Sequence, residues 1–127
     1  MMNMSITWYN EQPKDIVVTL TPLNLTINKP GIIYFDNANQ VMLGYDQETN
    51  KILIKPLTKN EAIRGDIPDH AKYNITIHTS YGRITNKSFM GHMDQLFNLS
   101  LTEKGLKYKA IWSPSARVLE FLLKEER

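Results

Sequence analysis

The sequence contains no cysteine. This absence excludes a disulfide scaffold, thiolate zinc sites and a cysteine nucleophile, and it agrees with a reducing cytoplasm. Glycine is also scarce, since six glycines stand singly along the chain and form no phosphate-cradling loop. The Gly-x-Ser-x-Gly and His-Glu-x-x-His motifs are missing as well. We therefore expect a protein that is not an enzyme and that needs no cofactor or metal.

Long apolar runs and a strong net charge are missing too. No run approaches the ~20 apolar residues that span a bilayer. The first residues have neither the basic region nor the apolar core of a signal peptide, so we expect a cytoplasmic protein without a membrane partner. The net charge of +2 is small, so any nucleic-acid binding must come from local clustering of cations. A length of 127 residues predicts one domain, 1–127.

The periodicity of apolar residues predicts the same order of elements twice: two strands, a helix and a strand hairpin. In the first half we expect strands at 16–20 and 25–27, a helix at 32–38 and a hairpin at 41–55. In the second half we expect strands at 73–78 and 81–84, a helix carrying apolar residues at 89–97 and a hairpin at 107–123. Trp8-Tyr9 is expected to be a short opening strand. The end of the chain, 117–127, fits a strand or a helix, and its place in the repeat favours a strand.

A capping box joins the two halves. Thr58 followed by Glu61 predicts a short helix, and turn-forming residues predict a loop after it. The pairs Asn28-Lys29 and Asn86-Lys87 are 58 positions apart, an offset that also places Val17 on Ile75. The hairpins match at an offset of 66, after a longer loop at 98–106.

These patterns predict a β-rich α+β domain made of two pseudo-two-fold-related strand–helix–hairpin repeats. The repeats are 16–56 and 74–123, and they are joined by the short helix and loop of 57–73. The pattern alone leaves chance similarity of alternating strands as the alternative.

The order of elements resembles that of the AbrB/SpoVT/MraZ-like DNA-binding domains. The second repeat carries Tyr81-Gly82-Arg83-Ile84, which is similar to the Gly-Arg-Val element of that family, and the hairpin Val41–Pro56 is similar to its closing hairpin. Two units fused in one chain look like the MraZ arrangement. The resemblance implies a swapped-hairpin β-barrel and double-stranded DNA as the partner.

The sequence also departs from that family. In the first repeat Leu23-Asn24-Leu25 stands where Gly-Arg is expected. The helix starts carry Ile32-Ile33-Tyr34 and Met90-Gly91-His92 in place of Ile-Pro followed by paired arginines. The resemblance therefore supports the barrel more than it supports DNA binding.

The candidate DNA contacts are the basic residues of the second repeat: Arg83, Lys87, Lys104, Lys107 and Lys109. Cations on one face neutralise phosphates, which supplies most non-specific affinity for DNA. The alternative is an ordinary solvated face, because 13 acidic residues offset 15 basic ones. A smaller cluster follows the first hairpin and carries the same alternative: Lys51, Lys55 and Lys59.

Three aromatic residues, Trp8, Tyr9 and Tyr81, are candidates for stacking on bases. The alternative is packing in the core or at a barrel edge, which is the commoner place for aromatic residues of strands.

Acidic residues and histidines give little indication of catalysis or metal binding. Asp66, Asp69 and His70 form a group able to hold a divalent ion, but no second histidine lies nearby, and a turn-rich loop explains the same residues. His92 and Asp94 lie two apart on the predicted helix and do not face each other.

Three functions remain open. The first is a small intracellular DNA-contacting regulator. The second is a protein–protein or accessory module of phage type, pairing with a partner or with itself through exposed strand edges. The third is an enzyme whose site is assembled from both halves.

Overall fold

A computed structural model describes residues 5–9 and 14–123 of the chain. Nine antiparallel strands in one sheet and three α-helices make up this part. The strands are β1 (Ile16–Leu20), β2 (Asn24–Asn28), β3 (Gln40–Asp46), β4 (Lys51–Leu57), β5 (Tyr73–Asn74), β6 (Thr76–Ile77), β7 (Tyr81–Thr85), β8 (Leu106–Ser113) and β9 (Val118–Leu122). The helices are α1 (Lys29–Ile32), α2 (Lys59–Ile63) and α3 (Lys87–Phe97).

The sheet closes on itself into a nearly complete barrel. Its order is β5-β3-β4-β9-β8-β1-β2-β7-β6, and the two end strands, β5 and β6, are consecutive in the chain. Closure follows because the segment between β5 and β6 is a single residue, Ile75, so the two ends of the sheet meet there. The predicted β-rich α+β class is therefore confirmed.

The segment that closes the barrel changes partners at Ile75. Tyr73 and Asn74 pair with β3, whereas Thr76 and Ile77 pair with β7. Between them the backbone N–H of Ile75 donates to the carbonyl of Asn39 at 3.0 Å, and the Ile75 side chain is buried. The single strand predicted at 73–78 is thus two short strands.

The core lies inside the barrel and under α3. Alternate residues of the strands point inward, so that β1, β2 and β4 each bury two or more apolar side chains completely. Helix α3 buries Met90, Met93 and Phe97 against this core, on the apolar face that its spacing predicts. Among the described residues no polar or charged side chain is fully buried.

Helix α1 begins after Asn28, with Pro30 at its start, as the sequence predicts, but it ends earlier than expected. Pro30 stands in the first turn of α1, where its missing N–H costs nothing. Helix α1 ends at Ile32 and continues as a 3-10 turn at Ile33–Phe35, so the prediction of a helix at 32–38 was wrong in its bounds. Asn37, with φ of 65°, adopts the left-handed conformation that ends such a turn.

Two predicted features at the ends of the chain have different outcomes. Residues 6–9 are not in a strand, so the opening strand at Trp8-Tyr9 was wrong. The chain after the second hairpin turn is the strand β9, as its place in the repeat indicates. Residues 124–127 of the segment 117–127 lie outside the described residues.

The two halves share a hairpin register, at an offset one residue shorter than the predicted 58. In the first half Thr19 pairs with Thr26, and in the second half Thr76 pairs with Arg83. Each residue of the second pair follows its counterpart in the first pair by 57 positions. The three-residue turns of these two hairpins are also closed by equivalent hydrogen bonds. The Thr21 N–H donates to the carbonyl of Asn24 at 2.9 Å, and the His78 N–H donates to the carbonyl of Tyr81 at 2.8 Å. When β5 and β6 are counted as one strand of the ring, exchanging β1, β2, β3 and β4 with β6, β7, β8 and β9 leaves the order of neighbours unchanged.

Candidate nucleic-acid interface

Five neighbouring strands expose a surface that carries cations and no acidic side chain. The strands β8, β1, β2, β7 and β6 contain no aspartate or glutamate. Their outward positions are mostly polar and include lysine, threonine, asparagine and Arg83, with the apolar Val17 and Ile111 among them, while their inward positions are apolar. The nearby acids are Asp15, just before β1, Glu103, in the turn before β8, and Glu120, which lies on β9 opposite Ile111 and lines a cleft with Lys109. We call the five basic residues at 83, 87, 104, 107 and 109 the cationic face.

One cross-strand row contains two members of the cationic face. In successive register pairs Lys107 lies opposite Thr19, Thr19 opposite Thr26, Thr26 opposite Arg83 and Arg83 opposite Thr76. Adjacent strands are ~4.8 Å apart, which places the Lys107 and Arg83 backbones about 14 Å from each other. This span is comparable with the ~12 Å width of the major groove of B-DNA.

Arg83 is exposed and is held by an aromatic neighbour. Its Nη2 donates to the Tyr81 hydroxyl at 3.3 Å, and its guanidinium carbon lies 5.3 Å from the centre of the Tyr81 ring. His78 stacks on the same ring with centroids 4.5 Å apart. The stack fixes the guanidinium without neutralising it, because neither Tyr81 nor His78 is an acid. Sequence reasoning missed His78, although the short turn between 77 and 81 places it near Tyr81.

Lys87 and Lys104 lie at one end of this surface. Asn24 pairs with Thr85 at that end, and α3 begins directly after β7 with Asn86 accepting from the Phe89 N–H at 3.0 Å. Lys104 stands in the turn before β8. That turn packs on β1, since a Cβ placed on Gly105 would lie 2.8 Å from Thr19 Cγ2. Both lysines are exposed.

Lys109 is the member of the cationic face with a carboxylate partner. Its Nζ lies 3.4 Å from Asp15 Oδ2, and both side chains are largely exposed. An exposed pair of this kind contributes little energy and is screened by salt. The ammonium group of Lys109 therefore remains accessible to another anion.

The smaller basic cluster after the first hairpin is divided among different contacts. Lys51 Nζ lies 3.5 Å from Glu120, and Lys55 Nζ donates to the carbonyl of Ala116 at 3.1 Å. Lys59 is exposed as the first residue of α2.

The aromatic candidates differ in exposure. Trp8 and Tyr9 are 85% and 87% exposed, so packing in the core does not explain them. Tyr81 is half-buried beneath the His78 stack. Of the three, Tyr81 is the residue that the structure joins to Arg83.

The carboxylates of the 66–70 loop are each engaged by a cation. Asp66 Oδ2 accepts from Arg64 Nη2 at 2.6 Å, and this hydrogen bond holds the pKa of Asp66 below its ordinary value. Asp69 lies 3.1 Å from Lys72 Nζ. Across residues 5–9 and 14–123 no group of three or more histidine, aspartate or glutamate side chains is arranged to hold a metal ion.

His92 and Asp94 on α3 face different partners, as their spacing of two residues predicts. His92 Nε2 is hydrogen-bonded to the Tyr45 hydroxyl at 3.2 Å. Asp94 faces elsewhere, and its carboxylate accepts from the N–H groups of Ser100 at 2.7 Å and Leu101 at 3.3 Å. Asp94 therefore fixes the loop that follows α3.

Comparisons with known proteins add no relative. No protein-family model, curated protein or solved structure matches this chain. In the part of the chain that the structure describes, none of the helices has the length and apolar character needed to cross a membrane.

Proposed function

We propose that this protein binds double-stranded DNA through the cationic face. The observation that carries the proposal is the row from Lys107 to Arg83, in which cations are separated only by threonines on strands free of acids. Phosphate contacts need exposed cations at fixed spacing, and a sheet supplies that spacing more rigidly than a loop does. Threonine hydroxyls between the cations add neutral donors to phosphate oxygens.

The architecture supports the same proposal. The hairpin offset of 57 and the exchangeable strand order both favour a fused pair of repeats of the swapped-hairpin type. Under that equivalence Arg83 corresponds to Thr26, so the second repeat supplies the charge. The DNA contact is therefore one-sided, with the first repeat acting as the support for the second.

A protein-interaction module working through strand edges is the second candidate. The two ends of the sheet are the two-residue strands β5 and β6, which meet at Ile75. They leave little unpaired backbone for a further strand, so the observations favour the DNA proposal.

Salt dependence of duplex binding tests the proposal. We expect a generic duplex, followed by fluorescence anisotropy, to bind with a log–log salt slope of about −3 to −4.5 if three to five cations contact phosphates. The double variant Lys107→Gln/Lys109→Gln should flatten this slope by about 2. Its thermal stability should stay within ~0.5 kcal/mol, because both side chains are exposed.

The matched control changes two lysines on another part of the barrel. Lys55→Gln/Lys59→Gln removes the same charge from β4 and α2, and we expect it to leave the slope unchanged. Lys51 is kept in this control because it lines one cleft with Lys109. An equal flattening by both double variants would show attraction by net charge alone. No binding at the lowest salt would contradict the proposal and favour a protein partner.

A further inference from the structure

A second concave surface lies on the part of the barrel next to α2. One cleft, of about 570 Å³, runs between β3, β5 and α2, and an adjoining cleft of about 450 Å³ extends towards the turn between β8 and β9. The two share Asn37, Leu57, Thr58 and Lys59 as walls. Together they have the size of a small-molecule site. We call the first part the amide section and the second the basic section.

The amide section combines carboxamides with apolar side chains. Its carboxamides are Asn37, Asn39, Gln40 and Asn74. Asn74, Gln40 and Leu57 form one cross-strand row, and Gln40 Nε2 donates to Asn74 Oδ1 at 3.5 Å. This bond uses one donor of Gln40 and one acceptor of Asn74, so each amide keeps further donors and acceptors.

The apolar part of the amide section comes from Leu57, Ala62 and Ile63. Ile63 is 82% exposed at its edge. Carboxamides that donate and accept in one plane match the edges of a nucleobase, and apolar side chains suit its faces. No acidic residue lines this section.

The basic section brings two cations together. Lys59 comes from α2, and Arg117 comes from the turn before β9. Glu61 Oε1 lies 3.7 Å from Arg117 Nη1, a long contact that leaves the other guanidinium donors available, and Asp36 is the acid that lines the section. Arg117 has φ of 55°, a left-handed conformation that costs an arginine roughly 1 kcal/mol. Asn50 has φ of 57° at the corresponding position of the turn between β3 and β4, so this conformation belongs to the hairpin turn.

We propose that the cleft binds a nucleoside monophosphate. The base lies in the amide section against Gln40 and Asn74, and the phosphate lies in the basic section against Lys59 and Arg117. This site is separate from the cationic face, and the inference does not depend on DNA binding there. It gives the barrel a small-molecule ligand of its own.

Binding of single nucleotides to the full chain tests this inference. AMP, GMP, CMP and UMP are each titrated by isothermal calorimetry, together with their nucleosides and inorganic phosphate. We expect at least one nucleotide to saturate the protein and to bind at least tenfold more tightly than both its nucleoside and phosphate. Absence of saturable binding by all four, at up to about 10 mM, would overturn the proposal.

Variants then assign the two sections. Lys59→Gln should weaken the nucleotide at least tenfold and leave the nucleoside unchanged, whereas Asn74→Ala should weaken both. Lys51→Gln, which removes a lysine outside the cleft, is the matched control and should change neither. If phosphate alone binds as tightly as the nucleotide, or if Lys59→Gln acts no more strongly than the control, the proposal is wrong. Duplex binding measured on the same variants separates this outcome from failure of the DNA proposal.

Discussion

Thr26 on β2 lies directly opposite Arg83 on β7 in the antiparallel register. The other register neighbour of Arg83 is Thr76 on β6. Short neutral side chains on both sides leave the guanidinium without a carboxylate in its row. A single acid introduced at this point is therefore the sharpest test of whether Arg83 meets phosphate.

We expect Thr26→Glu to weaken duplex binding and to flatten the salt slope by about one. A carboxylate directly across from Arg83 would pair with the guanidinium and remove one phosphate contact from the count. Anisotropy titrations at several salt concentrations measure the slope. Thr26→Gln has the same shape without charge and should keep at least most of the wild-type slope. An equal loss with glutamine would indicate that shape, not charge, matters at this position.

The loop after α3 should depend on Asp94. Its carboxylate accepts from the N–H groups of Ser100 and Leu101, and Asn98 and Ser100 both have left-handed φ values, of 55° and 58°. We expect Asp94→Ala to lower the free energy of unfolding by about 1–3 kcal/mol, because these N–H groups lose their acceptor. Urea denaturation followed by circular dichroism measures the change.

Two further variants control this experiment. Asp94→Asn keeps one acceptor oxygen and should lose less stability than Asp94→Ala. Gln95→Ala changes the exposed neighbouring side chain and should stay within ~0.5 kcal/mol of wild type. If Asp94→Ala were no worse than Gln95→Ala, the carboxylate would not hold the loop.

Local features of this fold follow from the sequence, whereas strand pairing beyond the hairpins does not. The strand β1 and the apolar face of α3 are set by residue type and spacing within a few positions. The break at Ile75 depends on two partners, β3 and β7, that are distant in the chain. Nothing in the alternation of 73–78 distinguishes one partner from two, so the alternation alone does not predict where the barrel closes.

The candidate site shows the same division. The basic residues of the second repeat were identifiable by type, but the row that joins Lys107 to Arg83 arises from the register of four strands. The role of Asp94 had an available indication, because an acid in the last turn of a helix opposes the helix dipole and suggests a local partner. The amide section had no such indication in the sequence, because its walls come from segments that are separated in the chain.

The stability contributed by the capping box should depend on pH. The Thr58 backbone N–H donates to Glu61 Oε1 at 3.0 Å, and this bond is the main cause that holds the pKa of Glu61 below 4.5. Because the folded-state pKa is depressed, the contribution is present above the unfolded pKa and is lost as the pH falls through the folded one.

We therefore expect the stability advantage of wild type over Glu61→Gln to be constant near neutral pH and to shrink below about pH 4.5. Urea denaturation of both proteins across this range measures the difference. Glu103→Gln, in an exposed turn, provides the comparison for a general charge effect. An advantage that grew as the pH fell would contradict the assigned direction of the Glu61 pKa.

Two glycines should respond in opposite ways to the same substitution. Gly105 has φ of +83°, and a Cβ there would lie 2.8 Å from Thr19 Cγ2. Gly44 lies in β3, where an added Cβ meets nothing within 4 Å. We expect Gly105→Ala to destabilise the protein by at least about 1 kcal/mol, since alanine is strained at positive φ and also clashes. Gly44→Ala should be neutral or stabilise by up to ~1 kcal/mol, because it lowers the entropy of the unfolded chain.

The double variant Gly105→Ala/Thr19→Ser separates the clash from the strain. Serine lacks the Cγ2 methyl that the new Cβ would meet, so the double variant should recover part of the loss, and the remainder measures the cost of positive φ. Thermal or urea unfolding of the four proteins completes the cycle, with Thr19→Ser alone as the reference. If Thr19→Ser recovers nothing, the packing of the Lys104 turn on β1 is not tight. In that case Lys104 would not be held at the end of the row that contains Lys107 and Arg83.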